Sequence, residues 1–177
     1  GNQASVLVGD FLYSRAFQMM VDIGDMRVMR ILADATNTIA AGEVMQLMNV
    51  HDPDTREADY RQVIYRKTAR LFEAGAQIAA VLSNQDEAIE ASLAEYGRHL
   101  GTAFQLVDDA LDYSATADEL GKNIGDDLAE GKATLPLIYA MDKASADDRD
   151  VIREAIVEGG LGQLDRITAI IQSTGAL

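Results

Sequence analysis

Residues 101–113, GTAFQLVDDALDY, decide the fold. On a helical wheel at about 100° per residue, Gln105, Asp108, Asp109 and Asp112 fall within one arc of roughly 100°. The rest of the circumference holds Leu100, Ala103, Phe104, Leu106, Val107, Ala110, Leu111 and Tyr113. A surface helix shows an apolar stripe on a polar cylinder. This stretch inverts the pattern, so it predicts a helix that wants burial on most sides and carries one narrow acidic strip.

Such a strip is electrostatically costly. Two carboxylates about 6 Å apart repel by roughly 3 kcal/mol at an effective dielectric near 20. Three of them need a counter-charge or protonation, and no Lys or Arg stands among them. A hard divalent cation answers that need, and Mg²⁺ takes one or two carboxylates, several waters and phosphate oxygens. Yet Asp fills 19 of the 177 positions. An Asp-Asp-x-x-Asp pattern then arises by chance about 0.2 times, so the motif by itself is weak. From these residues alone, a metal strip and a solvated helix end stand level.

Outward from this stretch the apolar spacing follows 3.6 residues rather than 2, and only Pro53 and Pro136 interrupt it. The reading is all-α. Helices are expected over about Ser5–Asp22, with Ser5 as N-cap, then from beyond the Gly24-Asp25 break to about Asn49. A turn at His51-Asp52-Pro53-Asp54 follows, because Pro cannot continue a helix. Further helices are expected over Ala58–Leu82, Glu87–Tyr113, a segment capped by Thr134 with Pro136 in its first turn, Asp147–Glu158 and Leu161–Ser173. Between Ser114 and Ala133 a long glycine-bearing acidic loop is expected, and loops of that length inside a compact fold are usually functional. From Ala35 to Val50 the only charge is Glu43. A helix apolar nearly all round belongs inside a bundle, so the second helix is expected at the centre of a layered bundle, with residues 1–177 as a single all-α domain.

Lys plus Arg is 15 and Asp plus Glu is 29, a net charge of −14. That argues against nucleic acid, which demands a basic face, and against an anionic membrane surface. Cys is absent and only His51 and His99 occur, so no thiolate nucleophile or Cys-ligated metal exists in these residues. No apolar run is long enough to span a bilayer, no signal peptide is visible, and the cytoplasm is the expected location. The chain opens on Gly1 rather than Met, which suggests a processed or partial chain.

Cationic residues that would face the acidic strip lie elsewhere. Lys67-Thr68 sits in the third helix, and Lys122 and Lys132 follow Gly121 and Gly131 in the acidic loop. Lysines supply point charges to phosphates. Taken singly, each is also an ordinary surface residue. Glu43 and Gln46 could share the cavity or form a polar pair within the core. Met19, Met20, Met45 and Met48 could line an apolar pocket or simply fill core. An acidic protein that binds a polyanion must bridge to it through metal, so the strip, Mg²⁺ and a diphosphate form a coherent set.

Five ordered blocks then carry a resemblance. They are Gly9-Asp10-Phe-Leu, Gly42-Glu43-x-x-Gln46, Lys67-Thr68-Ala-x-Leu-Phe, Gly101-x-x-Phe104-Gln105-x-x-Asp108-Asp109-x-x-Asp112, and Gly121-Lys122 through Gly131-Lys132-x-Thr134-x-Pro136. Together they resemble the trans-type polyprenyl diphosphate synthases over nearly all 177 residues. The wording around Gly9–Met20, Glu43–Pro53 and Tyr65–Phe72 is most similar to the bacterial octaprenyl members. The resemblance implies the isoprenoid synthase helical bundle with a central cavity, here incomplete at both ends. It implies Mg²⁺-dependent head-to-tail condensation of an allylic prenyl diphosphate with isopentenyl diphosphate, giving a longer all-trans polyprenyl diphosphate that serves as a quinone side-chain precursor.

By position, Asp108, Asp109 and Asp112 match the second aspartate-rich motif, with Asp108 and Asp112 as the expected metal contacts. Lys67, Lys122 and Lys132 match lysines that hold the allylic diphosphate. Thr68 and Gln105 match polar residues of that site, and Phe104 an aromatic near the isoprene tails. A homodimer is implied. The family's first aspartate-rich motif does not occur in these residues, so this polypeptide alone is expected to give no turnover. The alternative, a non-catalytic prenyl-diphosphate-binding or regulatory subunit, would not need the intact Asp108, Asp109 and Asp112. A di-iron bundle would need Glu-x-x-His pairs, and Glu95 and His99 are four apart.

Overall fold

A computed structural model describes residues 1–114 and 125–177. Among them no strand occurs and the elements are helical. They are α1 (Asn2–Ile23), α2 (Met26–Asn49), α3 (Glu57–Ile64), a π-helical segment (Tyr65–Ala69), α4 (Arg70–Leu82), α5 (Glu87–Ser114), α6 (Asp126–Ala129), α7 (Leu135–Lys143), α8 (Ala146–Glu158) and α9 (Leu164–Thr174).

The breaks have local causes. Gly24 takes a left-handed conformation that ends α1. The Asp25 carboxylate then accepts from Arg27 N–H at 2.7 Å and caps α2. Ser145 does the same for α8, accepting from Asp148 N–H at 3.2 Å. Thr134 sits at the N-cap of α7 with Pro136 just inside, as expected, although its hydroxyl does not make the capping bond. The first helix extends back to Asn2, so Ser5 lies inside it rather than at its cap.

Two apolar clusters organise the chain. Val28, Ile31 and Ala35 of α2 pack on Ala74 and Val81 of α4. Farther along, Ile152, Ile156, Ile167, Ile170 and Ile171 of α8 and α9 close over Leu137 and Ile138 of α7, Tyr60 and Ile64 of α3, and Tyr113 at the end of α5. Each such buried isoleucine contributes about 2 kcal/mol relative to exposure. The site lies against the second of these clusters, with Tyr60, Ile64 and Ala133 in its lining.

Two expectations change. The Ala58–Leu82 helix is continuous, but five residues in its middle wind as a π turn. Glycines on both sides accommodate it. A Cβ on Gly42 of α2 would stand 2.8 Å from Arg66 Cβ and Lys67 N, and one on Gly101 of α5 would stand 2.6 Å from Ala69 Cα. The widened turn is thus clasped between two bare backbones, and it carries Lys67 and Thr68. The second difference concerns α2. It is buried along Val28, Ile31, Ala35 and Gly42, whereas Val44, Leu47 and Met48 are 58%, 73% and 78% exposed. Its apolar pattern reports what wants covering, and among the described residues α3, the π turn and α4 cover one side only, α1 adding little. No described helix is long and apolar enough to cross a membrane.

Candidate functional site

The C-terminal end of α2, the α3–π segment, the last turns of α5 and residues 127–134 enclose a cavity of about 190 Å³. Tyr60, Val63, Ile64, Lys67 and Thr68 supply one wall, and Gln105, Asp108 and Asp109 face them from α5. Asp127, Lys132 and Thr134 close the side next to α7, and Gln46 and Asn49 reach in from α2. The cavity therefore holds Lys67 and Lys132 together with Asp108, Asp109 and Asp127.

A hydrogen-bond chain orders the α5 strip. Thr68 Oγ1 donates to Gln105 Oε1 at 2.8 Å. Gln105 Nε2 donates to Asp109 Oδ1 at 2.7 Å and, more weakly, to Asp108 Oδ2 at 3.4 Å. Tyr60 Oη donates to the other Asp109 oxygen at 2.6 Å. Asp109 is 3% exposed. Its burial pushes its pKa up to about 6, with Tyr60 and Gln105 pulling down and Asp127 and Asp108 adding to the rise. Burial first, and then the charge of Asp109, hold the Tyr60 phenol above the ordinary tyrosine range, so it remains a donor.

The lysines are held differently. Lys67 Nζ donates to Gln46 Oε1 at 2.6 Å and stands 3.4 Å from Glu43 Oε2. Lys132 Nζ lies 2.9 Å from Asp127 Oδ1 and 2.7 Å from Glu130 Oε2. Burial depresses its pKa, but the bonds to Glu130 and Asp127 outweigh that and raise it overall. Lys67 also helps to lower the pKa of Glu130, behind Lys132 and against the pull of burial. Lys132 is thus held as a cation beside Asp127 and Glu130.

The structure brings Lys67, Thr68, Gln105, Asp108, Asp109 and Lys132 together in the lining of one cavity. Asp112 is arranged differently. Its side chain is fully buried and Oδ2 accepts from Asp127 N–H at 3.1 Å, which ties α6 to the end of α5. The carboxylate that joins Asp108 and Asp109 on the cavity wall is Asp127, not Asp112. Phe104 is 56% exposed and packs on Phe72 with ring centroids 5.5 Å apart, outside the cavity lining. None of the four methionines lines it. Lys122 lies outside the described residues. Tyr60 is a residue that the sequence reading missed. The signal was there, since positions 60, 63, 64 and 67 repeat at helical spacing back from Lys67.

In the metal-free chain the Asp109 shift predicts a pH effect. A carboxyl whose folded pKa exceeds its unfolded value stabilises the fold fully below the unfolded pKa, and that contribution disappears as pH rises through the folded pKa. With a rise from 3.8 to about 6, Asp109 should cost the fold on the order of 3 kcal/mol at pH 8 relative to pH 3.5. Urea midpoints of Asp109→Asn and wild type, taken in chelator, should diverge between pH 4 and 7. Parallel curves across that window would contradict the shift.

A model of the polyprenyl synthetase family matches residues 1–173. Among curated proteins, octaprenyl diphosphate synthase of Haemophilus influenzae is 58% identical over 172 residues, taking in 97% of this chain and 52% of its own. The Escherichia coli octaprenyl diphosphate synthase is 53% identical over 178 residues, 100% of this chain and 55% of its own. Among solved structures, polyprenyl synthase from Caulobacter crescentus CB15, complexed with calcium and isoprenyl diphosphate, superposes with a TM-score of 0.94 at 45% identity, covering 99% of this chain and 54% of that one. The chain spans about half the length of the curated relatives it matches.

Proposed function

The chain belongs to the polyprenyl synthetase family, and on that premise we propose that it carries the allylic-diphosphate wall of a Mg²⁺-dependent polyprenyl diphosphate synthase. The reaction is head-to-tail condensation of an allylic prenyl diphosphate with isopentenyl diphosphate. The product is a long all-trans polyprenyl diphosphate of the octaprenyl class, a quinone side-chain precursor. The observation that carries the reading is the convergence of Lys67 and Lys132 with Asp108, Asp109 and Asp127 on one cavity. The Caulobacter relative is complexed with calcium and isoprenyl diphosphate, the same two ligand classes.

The donor set fits the metal. Asp108, Asp109 and Asp127 line the cavity, and Mg²⁺ prefers one or two carboxylates and completes its shell with water and phosphate oxygens. Asp108 would hold it from the cavity wall, and Asp112 would join it through a carboxylate whose Oδ2 also accepts from Asp127 N–H. When bound, Mg²⁺ neutralises charge on the diphosphate as the allylic C–O bond breaks.

The chain's own residues do the rest. Lys67 and Lys132 hold the diphosphate that departs with the bonding electron pair. Gln105, fixed by Thr68, orients Asp108 and Asp109. Burial of Tyr60 and Asp109 keeps water from the polar wall, where a carbocation would otherwise be quenched. The isopentenyl double bond then attacks the allylic cation, and a proton passes to the released diphosphate, leaving the new trans double bond. The protein works as a homodimer in the cytoplasm. The 177 residues hold a single Asp-Asp-x-x-Asp, so this polypeptide by itself gives no elongation.

Inorganic pyrophosphate titrated into the chain with Mg²⁺ tests the cationic wall. Lys67→Ala should weaken binding about tenfold, the loss of one charge-assisted contact, and leave the helical circular dichroism signal as it is. Equal affinity in the variant would remove Lys67 from the site.

A further inference from the structure

His51 sits in a backbone conformation that few residues with a side chain adopt. Its φ is +63°, the left-handed region that disfavours anything but glycine and, less strongly, Asn, Asp and His. The surroundings hold it there from three directions. Its backbone N–H donates to Gly131 O at 2.8 Å. Its ring Nδ1 lies 3.0 Å from Ile156 O, which makes Nδ1 the protonated nitrogen, since a carbonyl only accepts. The ring itself occupies space left by two glycines. A Cβ on Gly131 would stand 2.3 Å from Nδ1, and one on Gly159 would stand 2.9 Å from Cε1. Both glycines are left-handed as well, with φ of +72° and +63°. Three unusual backbone conformations thus meet at one imidazole.

What the imidazole joins gives it a role. On one side is the end of α2, which brings Gln46 and Asn49 to the cavity. On another is the turn after α6, where Lys132 N–H donates to Asp127 O at 2.9 Å and Lys132 Nζ bridges Asp127 and Glu130. On the third is the C-terminal end of α8. Strain persists only where the surroundings over-determine it, and it gathers at sites where geometry matters.

We propose that His51 is a positioning residue of the diphosphate site. Wedged between Gly131 and Gly159, it fixes the turn after α6, which carries Lys132, against the end of α2, and so sets where the second cation stands relative to Lys67. This inference rests on the function proposed above. It touches no substrate itself.

The amide of an asparagine places a nitrogen where the imidazole holds Nδ1, and Asn tolerates a positive φ. Glycine accepts the backbone but fills nothing and donates nothing from a side chain. The experiment is calorimetric titration of inorganic pyrophosphate with Mg²⁺ into the full chain, at a temperature where circular dichroism shows each variant fully helical. His51→Gly should bind about tenfold more weakly, because a site left loosely supported loses its geometry. His51→Asn should stay within about twofold of the wild type. A role confined to stability would move melting temperatures and leave both affinities alone.

If His51→Gly loses its helical signal, Gly159→Ala serves instead. Its Cβ would stand 2.9 Å from the ring Cε1, and crowding the ring should weaken binding several-fold. Wild-type affinity in the folded Gly variant, or in Gly159→Ala, overturns the role. So does His51→Asn binding as weakly as His51→Gly. A wild-type chain that takes up no pyrophosphate brings down the proposed function and this role with it. Weakened binding in Lys67→Ala beside an unchanged His51→Gly brings down this role alone.

Discussion

In the full-length protein, and on the function proposed above, Asp108→Ala should lower prenyl elongation by about three orders of magnitude while the helical circular dichroism stays intact. A metal ion that stabilises charge on a departing phosphoryl oxygen is worth several kcal/mol in the transition state, and about 4 kcal/mol corresponds to a thousandfold in rate. The fold has little reason to suffer. Asp108 lies at the cavity wall rather than in the apolar clusters, and its bond from Gln105 Nε2 is long, at 3.4 Å. Its charge also pushes the Asp109 pKa upward, so removing it relieves repulsion. Normal turnover in the variant, measured with saturating Mg²⁺, would take the metal role away from the strip.

Gly97→Ala should destabilise the chain by about 1 kcal/mol net. The added methyl would meet the Phe72 carbonyl oxygen at 2.5 Å and Glu73 Cα at 2.9 Å. These are backbone atoms of the facing helix, which cannot rotate aside, so α4 and α5 must separate. Overpacking of this kind costs about 1–3 kcal/mol, occasionally more, and exceeds the gain of roughly 1 kcal/mol from better helix propensity. Gly75 supplies the control. It lies within α4 with nothing inside 4 Å of its absent Cβ, so Gly75→Ala should stabilise by about 1 kcal/mol. Urea unfolding of the two variants should give shifts of opposite sign. A Gly97→Ala protein as stable as Gly75→Ala would contradict the close α4–α5 approach.

Local chemistry made most helix boundaries legible before any coordinates. Gly24 with Asp25, Pro53 and Pro136 each acts within a few residues, and the structure places breaks at all of them. The acidic strip was legible for the same reason, since a wheel needs only spacing. Its far end was not. Asp112 follows the wheel, but its direction is decided by a turn some fifteen residues later, where Asp127 N–H meets its carboxylate. The π turn was invisible because one extra residue per turn leaves composition and hydropathy unchanged. Only Gly42 and Gly101, read as a pair of bare surfaces facing one segment, hint at it. A tyrosine on an amphipathic helix usually packs as core, so helical spacing alone does not mark Tyr60 as a site residue. Its hydroxyl is what makes it part of the site.

The burial expected of α2 shows a different limit. Its apolar residues from Ala35 to Val50 state a demand for cover, and a sequence pattern does not say which surface supplies it. Among the described residues Leu47 and Met48 remain largely exposed. Phe104 illustrates the same point from the other side, since its aromatic ring meets Phe72 rather than the cavity.

The central claim is that the strip on α5 and the two lysines form one metal-bridged diphosphate site. Pyrophosphate binding to the 177-residue chain, measured with Mg²⁺ and again in chelator, for the wild type and for Asp108→Ala, tests it most directly. The account predicts that the wild type binds with Mg²⁺ and loses most of that affinity in chelator, and that Asp108→Ala binds equally weakly in both. Affinity that ignores Mg²⁺, or an Asp108→Ala chain that responds to it like the wild type, would contradict the account.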